Sequence, residues 1–91
     1  MPVFHLHIVT PSELIHDVEG FTLPDLDAAR REAIRGARAL LSAEVLDGEL
    51  DLRQRIRIHD DAGRHLSTVR FEDVVRVTSA AGGQVGELAK D

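Results

Sequence analysis

Residues 23–48 read LPDLDAARREAIRGARALLSAEVLDG, and this stretch decides the fold. Leu26, Ala29, Ala33, Ile34, Ala37, Leu40 and Leu41 fall within one face at 100° per residue, the pattern of an amphipathic helix from Leu26 to about Leu46. Pro24 sets an extended approach. Asp25 follows as the expected N-cap, because its carboxylate can accept the free backbone N–H groups of the first turn. Asp47 and Gly48 supply the stop. Three alanines in the apolar stripe leave little bulk, so the helix should lie close against whatever covers it. Gly36 falls off the stripe, where it weakens the helix by about 1 kcal/mol relative to alanine without breaking it.

Working outward, the flanks have a different period. Phe4, Leu6 and Ile8 alternate with His5, His7 and Val9, which predicts a strand over residues 1–9 with two unlike faces. Thr10 to Glu13 carry turn chemistry, and Leu14 to Val18 reads as a second short strand ending near Gly20. Beyond the helix, Ile56 and Ile58 mark a strand over Arg55 to Asp60, and Leu66, Val69 and Phe71 mark another over His65 to Phe71. Asp60 to Arg64 fits a type I turn followed by a left-handed Gly63. The change of parity between Leu66 and Val69 leaves the inward face of this strand open, and a bulge would account for it. A short helical turn or a strand extension closes residues 71–77. Two hairpins around one long helix define an α+β fold, a two-layer sandwich in ββαββ order with an antiparallel sheet packed on the helix.

The chain of 91 residues is expected to form one domain over 1–77, followed by a flexible tail over 78–91, where Ser79 to Gln84 shows no periodicity. Cysteine is absent, so disulfides, thiolate nucleophiles and cysteine-rich zinc sites are excluded. No signal-peptide pattern opens the chain and no stretch reaches the ~20 apolar residues of a membrane span, so a cytoplasmic protein is expected, without membrane contact. A net charge of −5 repels a phosphate backbone as a whole, so nucleic-acid binding would need a local basic patch. Aromatics are limited to Phe4, Phe21 and Phe71.

Phe4 to His7, Asp17 to Gly20, the run Leu23, Pro24, Asp25, Leu26, Ala29, Glu32, Ala33, and then Asp60, Gly63, Arg64 and Phe71 form a recognisable pattern. In these residues the chain resembles a family of short bacterial proteins known as domain of unknown function six-eight-nine-four. The resemblance rests on caps, turns and core alanines, so it informs the fold and implies no catalytic or binding residues. Thr10 to Glu13 stands where similar proteins carry a tight Asp-Gly turn.

Three constellations carry possible chemistry. His5 and His7 share a strand face, and His16 falls opposite His7 if Val9 pairs with Leu14, which would assemble three metal ligands. The competing reading is half-exposed strand histidines. Arg31, Arg35 and Arg38 form a stripe on the helix face away from Leu26 and Ala33, suited to an anion or a nucleic acid. The plainer reading is a solvated face in which Asp27 pairs with Arg31. His59, Asp60 and Asp61 look like an acid and base cluster, as do Asp17 and Glu19 beside Gly20, but Asp side chains beside glycines more commonly build turns. The serines lack an elbow motif, and no glycine-rich phosphate loop is present. The expected function is a small noncatalytic module that binds another protein or a second copy of itself, with no cofactor. The alternatives are a nucleic-acid-linked regulator of antitoxin type using the arginine stripe, and a small metal-binding protein using the three histidines.

Overall fold

A computed structural model describes residues 1–80 of the chain. The elements are β1 (Val3–Val9), β2 (Leu14–Ile15), β3 (Phe21–Thr22), α1 (Leu26–Leu46), β4 (Arg55–Asp60), β5 (His65–Arg70) and α2 (Phe71–Val74). The class is α+β, with an antiparallel sheet and one long helix. The expected ββαββ order is corrected: three strands precede the helix, and a single turn of helix follows the last strand. The expected tail lies, from residue 81 on, outside the described residues.

The sheet runs β2-β1-β4-β5, and β3 pairs with the same edge of β1 as β2 does. Leu14 to Val18 is therefore not one strand. Ile8 and Val9 pair with Ile15 and Leu14, whereas Val3 and Phe4 pair with Thr22 and Phe21. Between these two short pairings the chain leaves the ladder over residues 16–20. Gly20 brings it back at φ 78°, where an added Cβ would lie 2.7 Å from Val3 Cγ1 and 3.0 Å from His5 Cε1. Only glycine fits both that backbone angle and that closeness. The other edge of β1 is continuous, with six successive partners from Phe4↔Asp60 to Val9↔Arg55.

On one face of the sheet Phe4, Leu6, Ile56, Ile58 and Val69 are buried against Ala29, Ala33, Ala37 and Leu41 of α1. Small side chains at one helical spacing bring the helix axis close to the sheet, so Ala29 and Ala37 have no exposed surface. Asp25 stands at the N-cap with extended backbone, and its Oδ1 accepts from Ala28 N–H at 2.8 Å. At the far end the buried Gln54 donates from Nε2 to Glu44 Oε2 at 2.6 Å and to Asp51 O at 2.9 Å, which ties the loop after the helix to its last turns. Phe71, fully buried, closes the core from α2.

In the second hairpin Asp60 Oδ1 accepts from Ala62 N–H and Arg64 N–H at 3.0 and 2.8 Å, and Gly63 turns at φ 87°. These bonds, with the Arg64 guanidinium on Oδ2, hold the Asp60 carboxyl below its ordinary pKa. The ladder shifts register between Ile58 and His59, so Ile58 faces Ser67 while His59 faces His65. Leu66 is the extra residue of a bulge, which restores parity for Val69 and leaves His65 and Thr68 on the same side.

Candidate functional site

The face of the sheet turned away from α1 collects the polar side chains of alternating positions. Strand pairing sets them in rows. Leu14, Val9, Arg55 and Arg70 form the first row, and His7, Arg57 and Thr68 the second, with His16, just past the end of β2, against His7. His5, His59 and His65 form the third. All five histidines of the chain are thus on one face. The ring centroids of His7 lie 5.1 Å from His16, 4.8 Å from His59 and 6.1 Å from His5, with His59 and His65 5.7 Å apart. No described helix or strand packs over this face.

Two of the histidines build a clasp around Asp17. Leu6 lies where the outer edge of β1 has neither β2 nor β3 beside it, so its N–H would lack a ladder partner. Asp17 Oδ2 accepts that N–H at 3.0 Å, and Oδ1 accepts Gly20 N–H at 3.0 Å. The main chain of Asp17 is held from both sides: its N–H donates to His7 Nδ1 at 3.0 Å, and its carbonyl accepts from His5 Nδ1 at 2.8 Å. His5 Nε2 also donates, to Asp61 Oδ1 at 3.0 Å. Both partners of His5 are oxygens, so the imidazolium, with a proton on each nitrogen, is the form that makes both bonds. The Asp61 carboxylate, then the Asp17 carbonyl, raise its pKa accordingly. His7 is the opposite case. Its Nδ1 accepts a hydrogen bond and must be unprotonated, and burial, followed by the nearby His59, His16 and His5, lowers its pKa. His59 is also lowered, first by burial and then by Arg57 and His65. Its Nε2 is covered and has no hydrogen-bond partner among the described residues.

These bonds bear on each residue singled out in the sequence. Val9 does pair with Leu14, and His16 does meet His7. The same hydrogen bonds spend the nitrogens of two of the three candidate ligands: His5 has no free lone pair, and the Nδ1 lone pair of His7 faces Asp17 N–H. Among the described residues no three His, Asp or Glu side chains are disposed to hold a metal ion. Of the arginine stripe, Arg35 pairs with Glu32 at 2.8 Å, and Arg38 Nε donates to Val74 O at 2.8 Å, fastening α1 to α2. Arg31 is exposed, and the expected Asp27 to Arg31 pair is not among the ion pairs of the described residues; Glu32 to Arg35 forms instead. Asp60, Gly63, Gly20 and Asp25 serve turns and a cap. Asp17 accepts backbone N–H groups and Asp61 holds His5, so neither carboxylate stands as a free acid or base.

Sequence reasoning missed Arg55, Arg57, Arg70, His59 and His65 as partners of the first-strand histidines. Their alternation with Ile56, Ile58 and Val69 was a usable signal for the face, but not for the strand they would join. It also missed the pair His65 Nε2 and Thr68 Oγ1, 2.8 Å apart, which has the spacing of a base and a hydroxyl nucleophile. No described group hydrogen-bonds the other nitrogen of His65 to orient it.

Fold and site together define a two-layer α+β domain with one face closed by a helix and the other open and lined by imidazole and guanidinium groups. The family described as Domain of unknown function (DUF6894) matches residues 3–72, and the chain belongs to that family. No curated protein and no solved structure matches it. The residues that carry the family resemblance do fold-holding work: Asp17 and His7 in the clasp, Asp25 at the cap, Asp60 and Gly63 in the turn, and Phe71 in the core. Among the described residues no helix is long and apolar enough to cross a membrane.

Proposed function

We propose that this protein is a noncatalytic binding module whose working surface is the open face of the sheet. The observation that carries the reading is the gathering of five histidines and three arginines on one uncovered face of an acidic chain. Arg55 and Arg57 stand two apart in this face without ion-pair partners among the described residues, and such unpaired like charges suit an anionic partner. Support also comes from the chemistry available. A hydroxyl and an imidazole meet at Thr68 and His65, but a reaction would further need a group to orient the imidazole, and no described residue hydrogen-bonds the other nitrogen of His65. The arginine stripe on α1 is a weaker surface, since Arg35 and Arg38 already have partners.

The test is a photo-crosslinking amino acid placed at position 57 or 16 on the open face, or at position 31 or 35 on the helix, in the full chain produced in its own cells. Discrete adducts are expected from 57 and 16 and not from 31 and 35. Adducts from the helix positions alone, or from none of the four, would reject the open face as the working surface.

A further inference from the structure

We infer that the open face is a platform for single-stranded nucleic acid, with phosphates held by Arg55 and Arg57 and bases laid against the neighbouring imidazoles. This rests on the reading of the open face as the working surface, and adds the class of partner.

The first support is local charge. Arg55 and Arg57 stand two apart on β4, flanked across the strands by Val9, His7, Thr68 and Arg70. Neither makes an ion pair with a described residue, and no carboxylate shares their rows. Although the chain carries −5 overall, exposed charges farther away than about 8–10 Å are largely screened at physiological salt, so the local patch governs a close contact.

Shape supplies the second support. Imidazole rings and guanidinium groups are flat, and unstacked bases rest on such groups, whereas an acidic peptide would use only their charge. The His7 ring lies 5.1 Å from His16 and 4.8 Å from His59, beside Arg57, and the exposed His16 and His65 are the rings a base can reach. Four adjacent strands at the usual spacing make a face roughly 14 Å across, room for a few nucleotides. A duplex hides its base faces and is read by an element that enters a groove; this sheet face presents none.

The other charged groups around Arg55 and Arg57 are Arg70 and, at the rim of the face, Asp17, Asp60, Asp61, Arg64 and Glu72. The rim carboxylates are already engaged: Asp17 with backbone N–H groups, Asp61 with His5, Asp60 with Arg64 and Glu72 with Arg70. Arg55 and Arg57 are left to meet a phosphate.

The experiment measures fluorescence anisotropy of labelled RNA and DNA strands of about twelve nucleotides, their duplexes, and a polyglutamate peptide. Titrations run at pH 7.5, from about 50 to 200 mM salt. Two engaged arginines, Arg55 and Arg57, predict a log–log salt slope near −1.4 for single strands, or about a 7-fold loss of affinity over that salt range. Arg57→Ala should flatten the slope by about 0.7, and Arg31→Ala should leave it unchanged, with circular dichroism unchanged in both. No binding of single strands at low salt, or binding indifferent to Arg57→Ala, overturns the inference. So does equal binding of duplex, or of polyglutamate in place of nucleic acid. If crosslinks from position 57 persist in any of those outcomes, the open-face reading stands and only the nucleic-acid partner is lost.

Discussion

Ile58 and His59 are consecutive residues of one strand, and they sit in opposite worlds. Ile58 has no exposed surface and lies under the alanines of α1. His59 lies among His5, His7 and His65 on the uncovered side, with a ring nitrogen left unpaired. One face is filled to exclusion by apolar side chains, so any change in volume there acts on stability. The other mixes imidazoles bonded within the fold with exposed side chains such as Arg55 and His16, so changes at the exposed positions should act little on stability.

The sharpest way to break this contrast is to open the packed face. Phe71→Ala should cost about 3–5 kcal/mol, a large part of the stability of so small a domain, read as a fall in the urea midpoint. A loss under about 1 kcal/mol would show that the core does not depend on this ring. Next comes the clasp that joins the two faces. Asp17→Ala leaves the N–H groups of Leu6 and Gly20 without acceptors and should cost on the order of 2–3 kcal/mol, with faster amide exchange at Leu6. Unchanged exchange at Leu6 would mean that water serves it equally well.

Acidity separates the histidines from one another. His7 and His59 have lowered pKa values in the fold, so below the ordinary value of about 6.5 the unfolded chain takes protons that the folded chain refuses. Their contribution is present above that pH and is lost as pH falls through their folded values. His5 is raised, so its contribution is complete below about 6.5 and is lost as pH rises through its folded value. Urea midpoints across pH 5 to 9 should therefore show His5→Gln most damaging in acid and nearly silent in alkali. The reverse order would put the proton elsewhere. The smallest effect belongs to the exposed part of the open face: Arg55→Ala and His16→Ala should shift stability by no more than about 0.5 kcal/mol in thermal melts. Losses as large as those of core positions would make this face part of the scaffold.

How far the sequence reached depended on the distance over which each feature is written. The helix from Leu26 to Leu46, with Asp25 before it and Gly48 after it, was legible because capping and a period of 3.6 are properties of neighbours in the chain. The turn at Asp60 to Arg64 was legible for the same reason, as was the apolar side of β1, whereas the parity change in β5 left its inward face open until the pairing with β4 placed the bulge at Leu66. The reading of Leu14 to Val18 as one strand failed because Asp17 uses its side chain and both of its backbone polar groups to bridge a gap in the ladder, a job that no local pattern announces.

The sequence by itself therefore determined the elements and which side of each strand is apolar. Only the tertiary structure decided which strands stand side by side. Alternation assigns a residue to a face, but the ladder between β1 and β4, some fifty residues apart, is what sets His5 against His59 and His7 against Arg57. That pairing is chosen by the fit of the whole apolar face beneath α1, since a slip of one residue would turn every buried side chain outward. The histidines and arginines on the opposite face come together as a consequence.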